Sequence, residues 1–182
     1  MDAIDEVAAI FDRRGGEFHG EQVDQRRHAL QCATGARASG ADDALVAAAL
    51  LHDIGHLLSA EEVGERTDLA VDDDRHEAVG ARWLAHRFDA RVSRAVALHV
   101  VAKRYRCTVD PAYLQALSPT SRLTLQAQGG LLDGPACDRF AAHPGFGDAM
   151  ALRGWDEEAK DVSAVTEGLG SFLDVLRRSV RT

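Results

Sequence analysis

The sequence predicts an all-α fold, a single helical bundle, and three observations carry that reading. Apolar residues recur at helical spacing along nearly the whole chain, and short Gly, Asp and Pro signals divide the segments so marked. With 46% hydrophobic and 27% charged residues the composition is that of an ordinary soluble domain. A chain of 182 residues can bury roughly two thirds of its unfolded surface in one core, so residues 1–182 are expected to form one domain.

The elements follow in order. A first helix, Asp2–Arg13, stops at Gly15 and Gly16, and a second, Glu21–Ala38, stops at Gly40. Asp42 opens a third, Asp42–Leu58, which contains the apolar run "LVAAALLHDIGHLL". The acidic stretch "SAEEVGERTDLAVDDD", Ser59–Asp74, lacks a long periodic face and reads as a surface connection, with a lid as a further role open to it. Asp72, Asp73 and Asp74 then suit the positive end of the next helix dipole. Helices are expected at Arg75–Phe88, Ala90–Tyr105, Asp110–Leu117, Pro119–Gln128, Pro135–Phe140, Phe146–Trp155 and Ser163–Val180. Trp83, Leu84 and Phe88 are expected to fill core, and Trp155 to wall the site described below or pack against it.

A net charge of −8 argues against a nucleic-acid surface, which needs clustered Lys and Arg. A small ligand or a protein partner is the alternative. Cys32, Cys107 and Cys137 are odd in number and lack CxxC spacing, as isolated thiols of a reducing compartment would. No apolar run reaches the roughly 18 residues of a membrane span, and no leader pattern is present, so a cytoplasmic protein is expected.

The apolar run raises the functional question. His52, Asp53 and His56 interrupt it, and such groups are costly to bury unless paired or bound to metal. His28 in "QRRHALQCA", His76 in "HEAVGARWL" and His99 in "VSRAVALHVVAK" place one imidazole on each of three further helices. Asp53 adds a carboxylate able to bridge two cations, which makes a dinuclear site on a bundle. Imidazole with carboxylate suits iron, manganese or zinc. A further carboxylate is wanted, and Asp156 in "LRGWDEEAK" supplies it, with Arg153 near the same helical face. His86 and His143 have no matching partners and are read as non-ligands.

The ordered set His28, His52–Asp53, His76, His99 and Asp156 resembles the ligand pattern of the HD-domain superfamily, all-helical metalloproteins. Most of its members are phosphohydrolases, and a minority hold two irons and activate dioxygen. "GEQVDQRRHALQCA", "ALLHDIGHLL", "HVVAKRY", "LSPTSRLTLQAQGG" and "LRGWDEEAK" are similar to the PhnZ-like mixed-valent diiron oxygenases, which cleave the carbon–phosphorus bond of 1-hydroxyphosphonates. The likeness runs in unbroken order over about residues 17–160, the expected metal-binding core, with the C-terminal helix at about 163–180 beyond it.

The spacing of further residues agrees with an anion pocket. His99 and Lys103 share a helical face, and Ser121, Thr124 and Gln128 form one stripe near a helix start. Arg153 offers a planar fork suited to phosphonate oxygens. By themselves these residues read sooner as solvated charges and an exposed helix face than as a pocket. The resemblance implies that His28, His52, Asp53 and Asp156 hold one iron, that Asp53 bridges to a second held by His76 and His99, and that the pair is Fe(II)/Fe(III). It further implies that Lys103, Ser121, Thr124, Gln128, Arg153 and His56 orient the phosphonate, while Glu21, two turns before His28, meets an amino or ammonium tail. The family carries a tyrosine three residues before that Glu; Phe18 stands here, with His19 next to it. This departure bears on the substrate, since Phe18 cannot ligate a metal.

The expected function is therefore an O2-dependent diiron oxygenase that converts a small anionic 1-hydroxyalkylphosphonate to phosphate and a carboxylic acid. A metal-dependent phosphohydrolase using manganese, zinc or iron on a phosphate ester or nucleotide is the alternative. A third reading, a metal-stabilised sensor, is disfavoured by the intact candidate ligands and the cation-lined pocket.

Overall fold

The structure, a computed structural model, describes residues 2–19, 22–63 and 75–181, with the backbone alone for 59–63. Its helices are α1 Ala3–Arg14, α2 Gln25–Ala38, α3 Asp43–Leu51, α4 Ile54–Val63, α5 His76–Ala85 and α6 Ala90–Val109. They continue with α7 Pro111–Ala116, α8 Pro119–Ala127, α9 Gly134–Ala141, α10 Phe146–Glu158 and, after a 3-10 turn at Leu169–Phe172, α11 Leu173–Ser179. Among the described residues the only β pairing is an isolated antiparallel bridge between Phe88 and Val180, which ties the C-terminus to the α5–α6 corner.

Aspartate starts most of these helices. The carboxylates of Asp2, Asp24, Asp42, Asp89, Asp110 and Asp133 each accept from a backbone N–H of the first turn, and Ser118 does the same for α8. Each cap satisfies a donor that the helix cannot, typically contributing about 1 kcal/mol. Six of the chain's 29 acidic residues thus have a structural role as caps.

Helix α3 is the centre of the bundle. Every residue from Leu45 to Leu51 is buried, and α2, α6, α10 and α11 pack around it. A helix apolar on all sides belongs in such a place. The main core joins α1–α5 with Phe88, α6, Leu152 of α10 and the C-terminal Phe172, Val175 and Leu176. Leu84 and Phe88 are fully buried as expected, whereas Trp83 lies at the core's edge under the Arg87 guanidinium, 4.1 Å from the ring centre. Trp155 packs toward Gly35 of α2.

Three expected elements differ. The helix read as Asp42–Leu58 is broken at His52–Asp53 into α3 and α4, and α4 continues through Val63 into the stretch read as a connection. The second helix begins at Gln25, where Asp24 caps it, not at Glu21. The helix read as Ser163–Val180 is confined to the 3-10 turn and α11, because Gly168 and Gly170 disfavour helix and side chains of α2 hold the backbone at Asp161 and Val162. Residues 64–74, including Asp72–Asp74 and most of the proposed lid, lie outside the described residues. Among those described, no helix is long and apolar enough to cross a membrane.

Candidate metal centre and anion pocket

The break between α3 and α4 puts His52 and Asp53 at the inner end of the most buried helix. Around them stand His28 from α2, His76 from the start of α5, His99 from α6 and Asp156 from α10, all buried except the half-buried Asp53. They fall into two groups: His28, Cys32, His52 and Asp156 offer ligand atoms within 4.8 Å of one another, and so do Asp53, His76 and His99.

Asp53 stands between the groups. Its Oδ2 lies 3.4 Å from His52 Nε2 and 3.7 Å from His28 Nε2, while its Oδ1 lies 3.5 Å from His76 Nε2 and 3.7 Å from His99 Nε2. Asp156 Oδ1 faces His28 Nε2 at 3.3 Å and His52 Nε2 at 3.8 Å. Each of these three carboxylate oxygens thus faces one histidine pair.

The histidine tautomers test whether a cation fits. His28 Nδ1 donates to Ala159 O at 2.9 Å, His52 Nδ1 to Ala49 O at 2.9 Å and His99 Nδ1 to Val96 O at 2.7 Å. With the proton on Nδ1, a neutral ring presents a lone pair at Nε2. Yet His28 Nε2 and His52 Nε2 approach to 3.1 Å, as do His76 Nε2 and His99 Nε2. Converging lone pairs beside two carboxylates call for positive charge between them, and the backbone bonds orient the rings as ligated imidazoles are oriented. A metal ion fits this set.

The titration behaviour agrees. Burial opposes a charge on His52, but Asp53 and Asp156 outweigh it and raise the imidazole to about 9, so a proton takes the cation's part in the metal-free chain. Burial, with His76 and His52 beside it, holds His99 down at about 3. Burial likewise opposes ionisation of Asp53 and Asp156, yet the imidazoles around Asp53 and, for Asp156, Arg153 and His28 hold both well below the usual carboxylate range.

Beside the first group lies a cluster of cationic side chains. Lys103, 5% exposed, donates to Thr124 Oγ1 at 2.6 Å and Gln128 Oε1 at 3.1 Å. Lys160 donates to Ser121 Oγ at 2.9 Å and Glu157 Oε1 at 3.4 Å. Thr124, Gln128 and Ser121, read from the sequence as one stripe, are therefore gathered by two ammonium groups. Arg153 is more constrained than its reading as a free fork: Nε donates to Tyr113 OH at 2.7 Å, Nη1 to Asp156 Oδ2 at 2.5 Å, and Nη2 to Glu157. The Tyr113 hydroxyl in turn donates to Glu157 Oε2 at 2.9 Å.

His56 stacks on His76 with ring centres 3.8 Å apart, and His19 meets His56 edge-on at 4.8 Å. Phe18 is 63% exposed, so His19 and not Phe18 is turned to the site. Glu21 lies outside the described residues. His86 is exposed and His143 Nδ1 accepts from Gly145 N–H, both away from the cluster.

Sequence reasoning missed Cys32, Tyr113, Glu157 and Lys160. Cys32 follows His28 by one turn, a spacing that was legible; burial, with Asp156 and Asp53 nearby, pushes its thiol well up, so it stands there as a thiol and not a thiolate. Tyr113 and Lys160 reach the site through contacts 40 and 39 residues away in sequence, respectively, for which local spacing carries no signal.

The family model "HD domain" matches residues 26–127. The chain is 40% identical over 157 residues to a hydroxymethylphosphonate dioxygenase of Gimesia maris, covering 85% of this chain and 78% of the relative. It is 36% identical over 178 residues to a [1-hydroxy-2-(trimethylamino)ethyl]phosphonate dioxygenase (glycine-betaine-forming) of Leisingera caerulea, covering 97% and 90%.

Proposed function

This chain belongs to the HD-domain family, and from that premise we propose that it is an O2-dependent oxygenase with two iron ions that cleaves the carbon–phosphorus bond of a small 1-hydroxyalkylphosphonate. The observation that carries the reading is the adjacency of two histidine–carboxylate groups, shared through Asp53, to a cationic cluster of Lys103, Lys160 and Arg153. The two relatives support it: their names give substrates that share the 1-hydroxyphosphonate group and differ in the tail.

In this reading His28, His52, Asp53 and Asp156 hold one ion, and Asp53, His76 and His99 hold the other. Bound iron supplies the redox chemistry with O2 and Lewis-acid binding of the substrate oxygens. The rest falls to the chain. Lys103 and Lys160 neutralise the phosphonate, and Ser121, Thr124 and Gln128 fix its rotation by hydrogen bonds. Arg153 orients Asp156 from behind and extends the cationic wall. Burial of Lys103, Ser121 and Arg153 keeps bulk water from them and strengthens their electrostatic contacts. His56 and His19 flank the other ion, and Glu21 selects among tails. For the tail-less substrate the reaction balances as hydroxymethylphosphonate plus O2 giving formate, phosphate and a proton.

The test uses anaerobically iron-loaded, partly oxidised protein. A coupled Fe(II)/Fe(III) EPR signal that sharpens on adding hydroxymethylphosphonate or 2-amino-1-hydroxyethylphosphonate, with phosphate release that requires O2, is expected. Phosphate release from an ester without O2, and no mixed-valent signal despite two bound irons, would move the assignment to hydrolysis with manganese, zinc or iron.

A further inference from the structure

The backbone that follows Asp156 is gripped by one face of α2. Ala159 N–H closes the end of α10 on Asp156 O at 3.3 Å, and Ala159 O accepts from His28 Nδ1 at 2.9 Å. Two residues on, the Gln31 side-chain amide meets the Asp161 backbone at both polar atoms. Its Nε2 donates to Asp161 O at 2.8 Å, and its Oε1 accepts from Asp161 N–H at 3.1 Å. Arg27 Nη2 then donates to Val162 O at 2.6 Å. Gln31 is 8% exposed and stands three residues, nearly one turn, after His28. The reaction proposed above makes no use of it.

We propose that Gln31 is a positioning residue for one of the two metals. By pinning Asp161 to α2 it sets the separation of His28, on α2, from Asp156, on α10, whose Nε2 and Oδ1 must stand 3.3 Å apart. A single hydrogen bond holds two helices together but lets one slide along the other. The amide contacts Asp161 at two points, on N–H and C=O, and so resists sliding as well as separation. The His28–Ala159 bond alone cannot do this, because it also has to hold the ring's orientation. The ligands of the other group come from the α3–α4 turn, α5 and α6, so the clamp acts on the His28, His52 and Asp156 group and not on Asp53, His76 and His99.

The inference rests on the reading that both groups hold metal, and the test separates the two. Wild type, Gln31→Leu, Gln31→Glu and the core variant Val7→Ala are titrated with Co(II), bound metal is counted after gel filtration, and helicity is followed by circular dichroism. Wild type is expected to bind two equivalents. Gln31→Leu keeps the shape and loses both bonds; it is expected to retain one ion at unchanged affinity and to bind the other about 10–100-fold more weakly. Its remaining cobalt spectrum should match that of His28→Ala and not that of His99→Ala. Gln31→Glu keeps the acceptor for Asp161 N–H and should fall between. Val7→Ala loses stability with both affinities kept. Equal weakening of the two ions in Gln31→Leu, or no weakening of either, overturns the role of Gln31. A wild-type chain that fails to bind two ions overturns the metal-centre reading itself, and the role of Gln31 with it, before any variant is compared.

Discussion

Arg153 and Asp156 face each other across one turn of α10: Nη1 donates to Oδ2 at 2.5 Å, which leaves Oδ1 turned to His28 at 3.3 Å. One carboxylate is thereby divided between a guanidinium and the metal group. Arg153→Met strands a buried carboxylate and is expected to weaken the nearer metal about 10–100-fold and to raise KM for the phosphonate. Arg153→Lys should recover only part of this, since an ammonium cannot replace three divergent donors. Metal titration and KM measured on both variants check the order; a Lys variant equal to wild type contradicts it.

Lys103 gives a pH dependence. Burial, and then Arg153, lowers its ammonium to about 8, so the group is charged below that pH and neutral above it. An anion needs the charged form. The pH profile of kcat/KM, which reports the free enzyme, is expected to fall on the alkaline side well below the ordinary lysine range, since nearby bound cations push the Lys103 ammonium further in the same direction as its burial. In Lys103→Arg the fall should shift beyond the measurable range, although the altered shape will lower the plateau.

The metal-free chain should show a stability maximum near neutral pH. His52 is raised to about 9, so the folded state holds a proton that the unfolded chain releases; that stabilisation is complete below about 6.5 and lost as pH rises toward 9. His99, held at about 3, works the other way: between 3 and 6.5 the unfolded chain takes a proton that the folded one refuses, so stability rises with pH there. Thermal melts of chelator-treated protein across this range should peak near 6.5, and metal loading should remove the decline on the alkaline side.

Gly55 has no room for a side chain. A Cβ there would lie 1.9 Å from His76 O and 2.9 Å from Gly80 N, so α4 and α5 touch backbone to backbone where His76 enters the site. Gly55→Ala is expected to destabilise the protein by at least about 2–3 kcal/mol and to loosen the metal bound through His76. Gly35→Ala, whose Cβ would meet Trp155 at an ordinary 3.5 Å, should change stability by no more than about 1 kcal/mol. Urea unfolding of the pair checks the contrast.

Most helices were legible within a few residues, because their apolar spacing and their Asp and Pro starts are local signals. The break at His52–Asp53 was not. No Gly or Pro precedes it and the run before it is uniformly apolar; Gly55, two residues after it, is the one local breaker, and the helical spacing of the apolar residues around it masks that signal. The grouping of His28, His52, Asp53, His76, His99 and Asp156 was legible as a set of residue types at particular places. What remained hidden were Tyr113, Lys160 and Gln31, whose roles come from contacts between segments distant in sequence, while Glu157, one turn from Arg153, was readable by spacing and went unread. Arg153 illustrates the difference: its spacing to Asp156 was readable, but its bond to Tyr113, across 40 residues, is what limits its freedom.

The central position of α3 also has a consequence in time. Its amides lie in the best-packed part of the bundle, with every side chain from Leu45 to Leu51 buried, so hydrogen exchange there should proceed only through global opening. His52 and Asp53 sit at the end of that helix. The shared carboxylate Asp53 and its neighbour His52 are thus anchored to the slowest-exchanging segment, and ligand-driven rearrangement should appear instead as faster exchange around His19 and the start of α5.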